Sequence, residues 1–310
     1  MQCPACENKD VFTLIETWKK YKIYHCRKCD VVFSHTMKNP GSEWYKKSEM
    51  YAVGKIIHTG VSWHHKQFLK DKKIYGQRLL DVGCGTGIFL NKAQEKGYDV
   101  WGIDFDSEDI DIARERYGLK NVHVISVGDI SKDFSKDRFD IITFFEVLEH
   151  LDNPIQFMKH IKDILKLRGY IALSVPNRNR TLDTLGEGDY PPNHLTKWNM
   201  VSLTSFLEQN GFEVIKCIIK KFEADEIAGY LKSKIRFGIA KGLARQGIAS
   251  NKKSDINKAA TLMKTKDMTF KIITTPLIPI LSILPLQGTG LYILARLKPV
   301  VTLSETKGNL

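Results

Sequence analysis

Four of the six cysteines in this 310-residue chain fall in two C-x-x-C pairs, CPAC at 3–6 and CRKC at 26–29, with nineteen residues between them. Thiolates are soft ligands. Cys3, Cys6, Cys26 and Cys29 together offer zinc a closed tetrahedral shell, which suits a structural site and leaves no open position for catalysis. The intervening VFTLIETWKKYKIYHC reads as two strands around a short turn, so a hairpin would bring the two knuckles together. A ribbon of about 35 residues buries too little core to fold unaided, and the metal supplies folding energy. Cys84 and Cys217 stand alone in apolar surroundings and read as buried thiols.

The second chemical feature is LLDVGCGTGIF at 79–89, strand-forming residues running into glycines at alternate positions. Bare backbone at a strand-to-helix turn lets a ligand approach closely. A dinucleotide fold would need G-x-G-x-x-G, with its third glycine at position 88, and that position is isoleucine. Gly83, Gly85 and Gly87 instead suit a ligand without a pyrophosphate, its amino-acid part lying along the turn.

Alternating elements must position this bend. RLLDVG, YDVWGID, NVHVISV, FDIITFF, YIALSV and FEVIKCIIK read as strands. Helices lie between them: GIFLNKAQEKG, SEDIDIARERYG with Ser107 as N-cap, NPIQFMKHIKDILKLRG ended by Gly169, and MVSLTSFLEQNG. This order predicts a parallel sheet with helices on both faces. Residues 36–75, including SEWYKKSEMY and SWHHKQFLKDKKIYG, predict an amphipathic helical connector. His64 and His65 are adjacent, face about 100° apart on a helix, and read as surface or packing residues rather than joint ligands.

With these segments in view, LLDVGCGTGIFL resembles the first motif of the class I S-adenosylmethionine-dependent methyltransferases. VWGIDFD resembles their second-strand motif, VGDI the turn after the third strand, FDIITFFEVLEHL the fourth-strand motif, and LRGYIALSVPN the fifth-strand region. The resemblance covers residues 76–220 and implies an α/β, Rossmann-like, seven-stranded sheet, six strands parallel and one antiparallel. It implies S-adenosylmethionine as cofactor. Asp81, Gly83, Gly85 and Gly87 would form the bend, Asp104 would hold both ribose hydroxyls with Phe105 beside it, and Asp129 with Ile130 would meet the adenine. Phe145 and Glu146 would lie near the methionine end. The ribbon, the EVLEHL motif and an H-L-x-x-W loop are similar to those of polyprenyl-phenol O-methyltransferases and of sugar and glycan methyltransferases. GLYILARL fits that family's antiparallel last strand, beside the sixth. The expected organisation is a zinc ribbon at 1–35, a helical connector at 36–75, a cofactor-binding core at 76–220, an insertion at 221–286 and the last strand at 287–300.

The chain carries a formal charge of +12, and residues 216–271 hold 14 Lys and Arg against 5 Asp and Glu. Residues 272–295 carry no charge, and Pro276, Pro279 and Pro285 break any helix there, which argues against a transmembrane span. The insertion leaves the sixth strand at the ligand-binding edge of such a sheet. It is expected to be a helical lid or an anionic-membrane patch serving a lipid-linked acceptor. No basic n-region or apolar h-region opens the chain, so a cytoplasmic protein, peripheral to the membrane at most, is expected. Composition, 43% hydrophobic and 26% charged, excludes a disordered chain.

Methyl transfer to a hydroxyl or carbon acceptor needs a proton removed, and a neutral histidine suits that near pH 7. His194, in YPPNHLTKW after the fifth strand, and His150, in EVLEHL, are the candidates. Glu149 reads as support for its turn. FFEV stands where a D/N-P-P-Y/F tetrapeptide would mark amine methylation of bases, and no Pro-Cys pair sits there. The expected acceptor is a small molecule, lipid-linked compound or glycan. Two alternatives remain: an RNA methyltransferase using Lys19, Lys20, Lys22, Arg27 and Lys28 of the ribbon, and a non-catalytic cofactor-binding scaffold.

Overall fold

The computed structural model describes residues 1–48, 60–71, 74–134, 138–183, 185–221 and 286–299. Most of the insertion expected at 221–286 therefore lies outside the described residues, as do residues 49–59 of the connector. By backbone contacts the chain divides into two compact units. One comprises 1–178, 187–218 and 290–310, and it contains every residue discussed below except where stated. The other comprises 179–186 and 219–289; within it Thr181 and Gln287 exchange two hydrogen bonds of 2.9 Å, Thr181 N–H to the Gln287 carbonyl and Gln287 N–H to Thr181 Oγ1. Among the described residues no helix is long and apolar enough to cross a membrane.

The N-terminal sheet contains β1 (Phe12–Trp18), β2 (Tyr21–Cys26) and β3 (Val32–His35). Two helices follow, α1 (Ser42–Lys47) and α2 (Trp63–Lys70). The alternating core then runs β4 (Arg78–Val82), α3 (Ile88–Glu95), β5 (Asp99–Asp104), α4 (Ser107–Tyr117), β6 (Val122–Val124), α5 (Ile130–Asp133), β7 (Phe139–Phe145), α6 (Pro154–Ile164) and β8 (Leu165–Pro176). After a long loop come β9 (Thr196–Lys197), α7 (Met200–Gln209), β10 (Phe212–Ile219) and β11 (Gly290–Leu297).

The main sheet has the order β10-β11-β8-β7-β4-β5-β6. β4 pairs in parallel with β5 and β7, β5 with β6, and β7 with β8, whereas β11 runs antiparallel to β8. This is the expected seven-stranded, Rossmann-like sheet, with its last strand beside the sixth and inserted between sixth and fifth. FDIITFF is buried almost throughout because central parallel strands are covered on both faces. The order reverses beside β4, so the crevice beyond the carboxyl ends of β4 and β7 is the switch point where ligands of open α/β sheets bind.

Four sequence expectations change. The helix expected to reach Gly169 ends at Ile164, and the chain goes directly into β8. Gly169 is a bulge glycine, not a helix cap: Arg168 has φ 61°, and the β7–β8 register shifts between Phe139 and Ile141. Asp106, not Ser107, caps α4, because its carboxylate accepts the Glu108 N–H at 3.0 Å. The third core strand is shorter than NVHVISV, with strand pairing only over Val122–Val124. The expected two-stranded hairpin gains β3 and then β9, which pairs antiparallel to β3 through Val32–Lys197 and Phe33–Thr196. The N-terminal ribbon and the loop after β8 are thus parts of one four-stranded sheet.

Candidate active site

Consider first the glycine bend at the end of β4. Gly83, Gly85 and Gly87 have φ values of 77°, 49° and 78°, a region that costs an L-residue energy. A Cβ at Gly83 would lie 2.7 Å from Val147 Cγ2, and one at Gly87 2.6 Å from Leu119 Cδ1. A Cβ at Gly85 would meet nothing within 4 Å. The outer glycines are therefore filled by the protein's own packing, and only the middle one turns bare backbone to open space.

Asp104, the last residue of β5, stands at that opening. Its Oδ2 accepts the Gly85 N–H and its Oδ1 the Asp106 N–H, each at 2.9 Å. Each oxygen keeps a second lone pair for an outside donor. Burial pushes the Asp104 carboxyl up to about 6, opposed by those two backbone bonds. Asp81 is buried in β4, accepts from Thr143 Oγ1 at 2.6 Å, and is pushed up to about 8 by burial. Asp106 and Asp109 are buried as well. Asp104, ionised above about 6, places negative charge beside the bare turn and favours a cationic ligand there.

Phe105 is 39% exposed, beside the opening, and its ring lies 5.5 Å from that of Tyr45. Asp129 is exposed at the start of α5, with no bond from its side chain to that helix. The Ile130 side chain is fully buried and belongs to the core. Phe145 is also largely core, stacked on His64 with centroids 5.0 Å apart and edge-on to Phe89 at 5.2 Å. His64 and His65 are thus packing residues: His65 stacks on Phe89, and burial brings its pKa down to about 4. Glu146 has φ 55°, a costly conformation for a non-glycine residue, held by its N–H to the Ser174 carbonyl and by Ser174 Oγ donating to its carboxylate at 2.7 Å. It is open to solvent, yet surrounding protein raises its pKa, the combination expected of a side chain lining a concavity.

A second cluster lies around the turn after β7. His194 is buried and its Nδ1 faces Asp189 Oδ1 at 3.0 Å; the carboxylate accepts, so the proton sits on Nδ1 and Nε2 keeps its lone pair. Asp189 is itself buried and takes Lys197 Nζ at 3.0 Å on its other oxygen. His150 donates from Nδ1 to the Asn193 carbonyl at 2.8 Å, which leaves the lone pair on Nε2, 3.9 Å from Glu149 Oε1. Burial brings His150 down to about 3. The two rings have centroids 4.8 Å apart. Glu149 is 1% exposed, and neither carboxylate oxygen has a hydrogen-bond partner. Burial and the nearby Glu146 raise its pKa well above the usual range. Glu149, His150 and His194 each present a potential ligand atom, all within 4.8 Å of one another.

The four paired cysteines also converge. Cys3 and Cys29 sulfurs are 3.5 Å apart, Cys6 and Cys26 sulfurs 3.7 Å, and all four lie within 4.8 Å of one another. A tetrahedron of thiolates around zinc requires S···S separations of about 3.8 Å. Both knuckles fold alike: the Glu7 N–H bonds the Cys3 carbonyl, the Asp30 N–H bonds the Cys26 carbonyl, and Glu7 and Asp30 have φ 55° and 60°. Donor type and spacing fit a thiophilic structural ion. Cys84 is buried and Cys217 half-buried, and burial pushes both thiols up, as unreactive packing residues require.

A family profile described as "Methyltransferase domain" matches residues 61–217, just over half the chain. The chain belongs to this methyltransferase family. Among curated relatives, the ubiquinone biosynthesis O-methyltransferase of Shewanella pealeana is 33% identical over 109 residues, which is 34% of this chain and 46% of the relative. That of Vibrio cholerae is 30% identical over 113 residues, 36% of this chain and 46% of the relative. The chain thus spans about half the length of the curated relatives it matches. Solved structures with similarity include a SAM-dependent methyltransferase from Archaeoglobus fulgidus, at TM-score 0.47 and 17% identity over 82% of this chain and 96% of that one. Another is an O-methyltransferase of a Brevibacillus brevis polyketide synthase in complex with S-adenosyl-L-homocysteine, at 0.46 and 16% over 84% and 82%.

Three residues of the candidate site were missed from sequence. Asp189 precedes His194 by five residues, and only a partner search within the loop would have singled it out. Tyr45 comes from α1, 60 residues before Phe105, yet its ring contacts both Phe105 and His150, at 5.5 and 5.9 Å. Asp30 follows a cysteine ligand and carries no motif of its own.

Proposed function

We propose that the chain transfers a methyl group from S-adenosylmethionine to a hydroxyl, or an acidic carbon, of a small-molecule, lipid-linked or glycan acceptor. The observation that carries this is the junction of Gly85 and Asp104, open backbone and a buried carboxylate joined at 2.9 Å. The residues fit the cofactor. Asp104 would hold its ribose hydroxyls and Asp129 its adenine. S-adenosylmethionine, when bound, supplies a methyl group on an electrophilic sulfonium.

The remaining work is alignment and one proton. His194 is the base: its Nε2 is free to take the acceptor proton, and Asp189 fixes the tautomer and stabilises the imidazolium that forms. His150, held near 3, is too weak a base for a hydroxyl, and its free Nε2 instead accepts a hydrogen bond that orients the acceptor. Glu146, close to Glu149 and His194, would meet the methionine end of the cofactor. Zinc on the four cysteines would be structural, remote from this chemistry in kind.

The orphaned Glu149 favours a second reading of the proton step. Two imidazoles whose Nδ1–H groups are already committed, and a carboxylate with none of its bonds made, form a two-histidine, one-carboxylate donor set with room for an acceptor oxygen. A divalent cation there would acidify the acceptor directly. Incubating the protein with methyl-labelled S-adenosylmethionine and fractionated extract tests the function. Label in lipid, glycan or small-molecule fractions is expected; label in RNA alone, or in no fraction, contradicts it. A chelator that stops the labelling, with added divalent metal restoring it, selects the second reading of the proton step.

A further inference from the structure

The ribbon has a role beyond holding itself together. Asp30, the residue after Cys29, gathers three donors on one carboxylate. His25 Nε2 reaches Oδ1 at 2.7 Å, Arg178 Nη2 reaches Oδ1 at 2.8 Å, and Asn199 Nδ2 reaches Oδ2 at 2.6 Å. Arg178 Nη1 also donates to the Asp30 carbonyl. Arg178 directly follows the β8 region, and Asn199 caps α7 by accepting the Ser202 N–H at 2.8 Å. Arg178 N–H donates to the Trp198 carbonyl at 2.7 Å, so the two flanks of the histidine-bearing loop meet where Asp30 grips them.

From that joint the ribbon reaches the base in two further steps. β3 pairs Val32 with Lys197, and the Ser34 N–H donates to the Leu195 carbonyl at 2.9 Å. On the other side of the same residue, the Leu195 N–H donates to the Glu149 carbonyl at 2.8 Å. The peptide carrying His194 is therefore strung between the ribbon and the turn of His150. Lys197, set by β3, places its ammonium on Asp189, which holds His194. The ring of Trp18, at the β1–β2 turn, stacks on Tyr190 at 4.3 Å, and Lys197 Nζ lies 3.9 Å over that same ring.

We infer that Asp30 is a positioning residue for the proton-accepting histidine, and that the cysteine ribbon is the scaffold of the acceptor half of the active site rather than a separate binding module. The inference rests on the methyltransferase reading above. It separates the two halves of the site: the ribbon aims His194 and leaves the Gly85–Asp104 half alone. Asp30 holds its three partners by charge-assisted bonds, and removing the carboxylate leaves the buried Asn199 amide and the partly buried Arg178 guanidinium without that acceptor.

Two variants of the full chain test this. In Asp30→Ala, amide exchange over residues 189–199 should speed up at least tenfold, and the imidazole nitrogen spectrum of His194 should lose its single Nδ1–H tautomer. S-adenosylhomocysteine binding by calorimetry should stay within about twofold of the unaltered protein. The exchange of partners in Asp30→Asn with Asn199→Asp keeps an amide-to-carboxylate bond and keeps a good N-cap, and it should restore both the protection and the tautomer. Unchanged exchange and spectrum in Asp30→Ala would overturn the inference, as would parallel loss of S-adenosylhomocysteine binding or failure of the partner exchange to rescue. If the unaltered protein binds no S-adenosylhomocysteine, the functional reading fails on its own, while the exchange and tautomer results still decide the role of Asp30.

Discussion

The two halves of the proposed site are built on opposite plans. The cofactor half is local: Gly85, in the bend after β4, and Asp104, at the end of the neighbouring parallel strand β5, lie nineteen residues apart, and one backbone-to-carboxylate bond joins them. The acceptor half is assembled from distant parts of the chain. Asp30 and Tyr45 come from the N-terminal segments, Glu149 and His150 from the turn after β7, and Asp189, His194 and Lys197 from the loop after β8. Local construction lets one half tolerate change in the other. A half strung between three segments depends on each of them.

Removing the base should give the largest effect. His194→Ala is expected to lower kcat by about 10² to 10⁴ with S-adenosylhomocysteine affinity unchanged. Asp189→Asn should follow it part of the way, through loss of the fixed tautomer. Single-turnover kinetics beside calorimetry separates the two effects. If His194→Ala weakens cofactor binding as much as turnover, the halves are not independent.

Next come the two glycines, which sharpen the contrast within the bend. Gly87→Ala drives a methyl group to 2.6 Å from Leu119 Cδ1 and 2.9 Å from Ala113 Cβ. It should cost about 2–4 kcal/mol of stability from overpacking and positive φ. Gly85→Ala should cost only about 1–2 kcal/mol of stability, but its methyl group points into the opening and should weaken S-adenosylhomocysteine binding at least tenfold. Urea unfolding and calorimetry on both variants check this, and equal stability losses would contradict it.

The last effect is a slope. The folded Asp81 is pushed up to about 8 by burial, while an unfolded aspartate titrates near 4. Between those values the folded state keeps a proton that the unfolded chain has lost, so this group's contribution to stability falls as pH rises through that window. Asp81→Asn should flatten that fall, gaining stability relative to the unaltered protein at pH 8 but not at pH 4. Unfolding free energies at the two pH values decide it.

The unequal legibility of the two halves has a physical origin. Strand-forming runs, glycine spacing and an acid at a strand end are short-range patterns, and they place Gly83, Gly85, Gly87 and Asp104 within one βαβ unit from sequence alone. GLYILARL reads as a strand from its apolar run up to Arg296, but its antiparallel place beside the sixth strand followed only from the family resemblance. Asp30 and Tyr45 act through contacts over a hundred residues away in sequence, such as Asp30 with Asn199 and Tyr45 with His150. No local pattern records such a contact. Gly169 misled for a related reason: a glycine after a helical run has the same local appearance whether it caps a helix or relieves a bulge, and only the pairing of β7 with β8 decides. Ile130 and Phe145 sit in the right motifs, but their burial depends on packing from other elements.

The most direct test is isothermal calorimetry of S-adenosylhomocysteine with the unaltered protein and with Asp104→Ala. One ligand per chain should bind the unaltered protein, with affinity falling by about tenfold per pH unit as Asp104 takes up its proton below about 6. Asp104→Ala should lose at least a hundredfold, in keeping with two charge-assisted hydrogen bonds, and should lose the pH dependence as well. Absence of binding to the unaltered protein, or equal binding by both at every pH, would contradict the account.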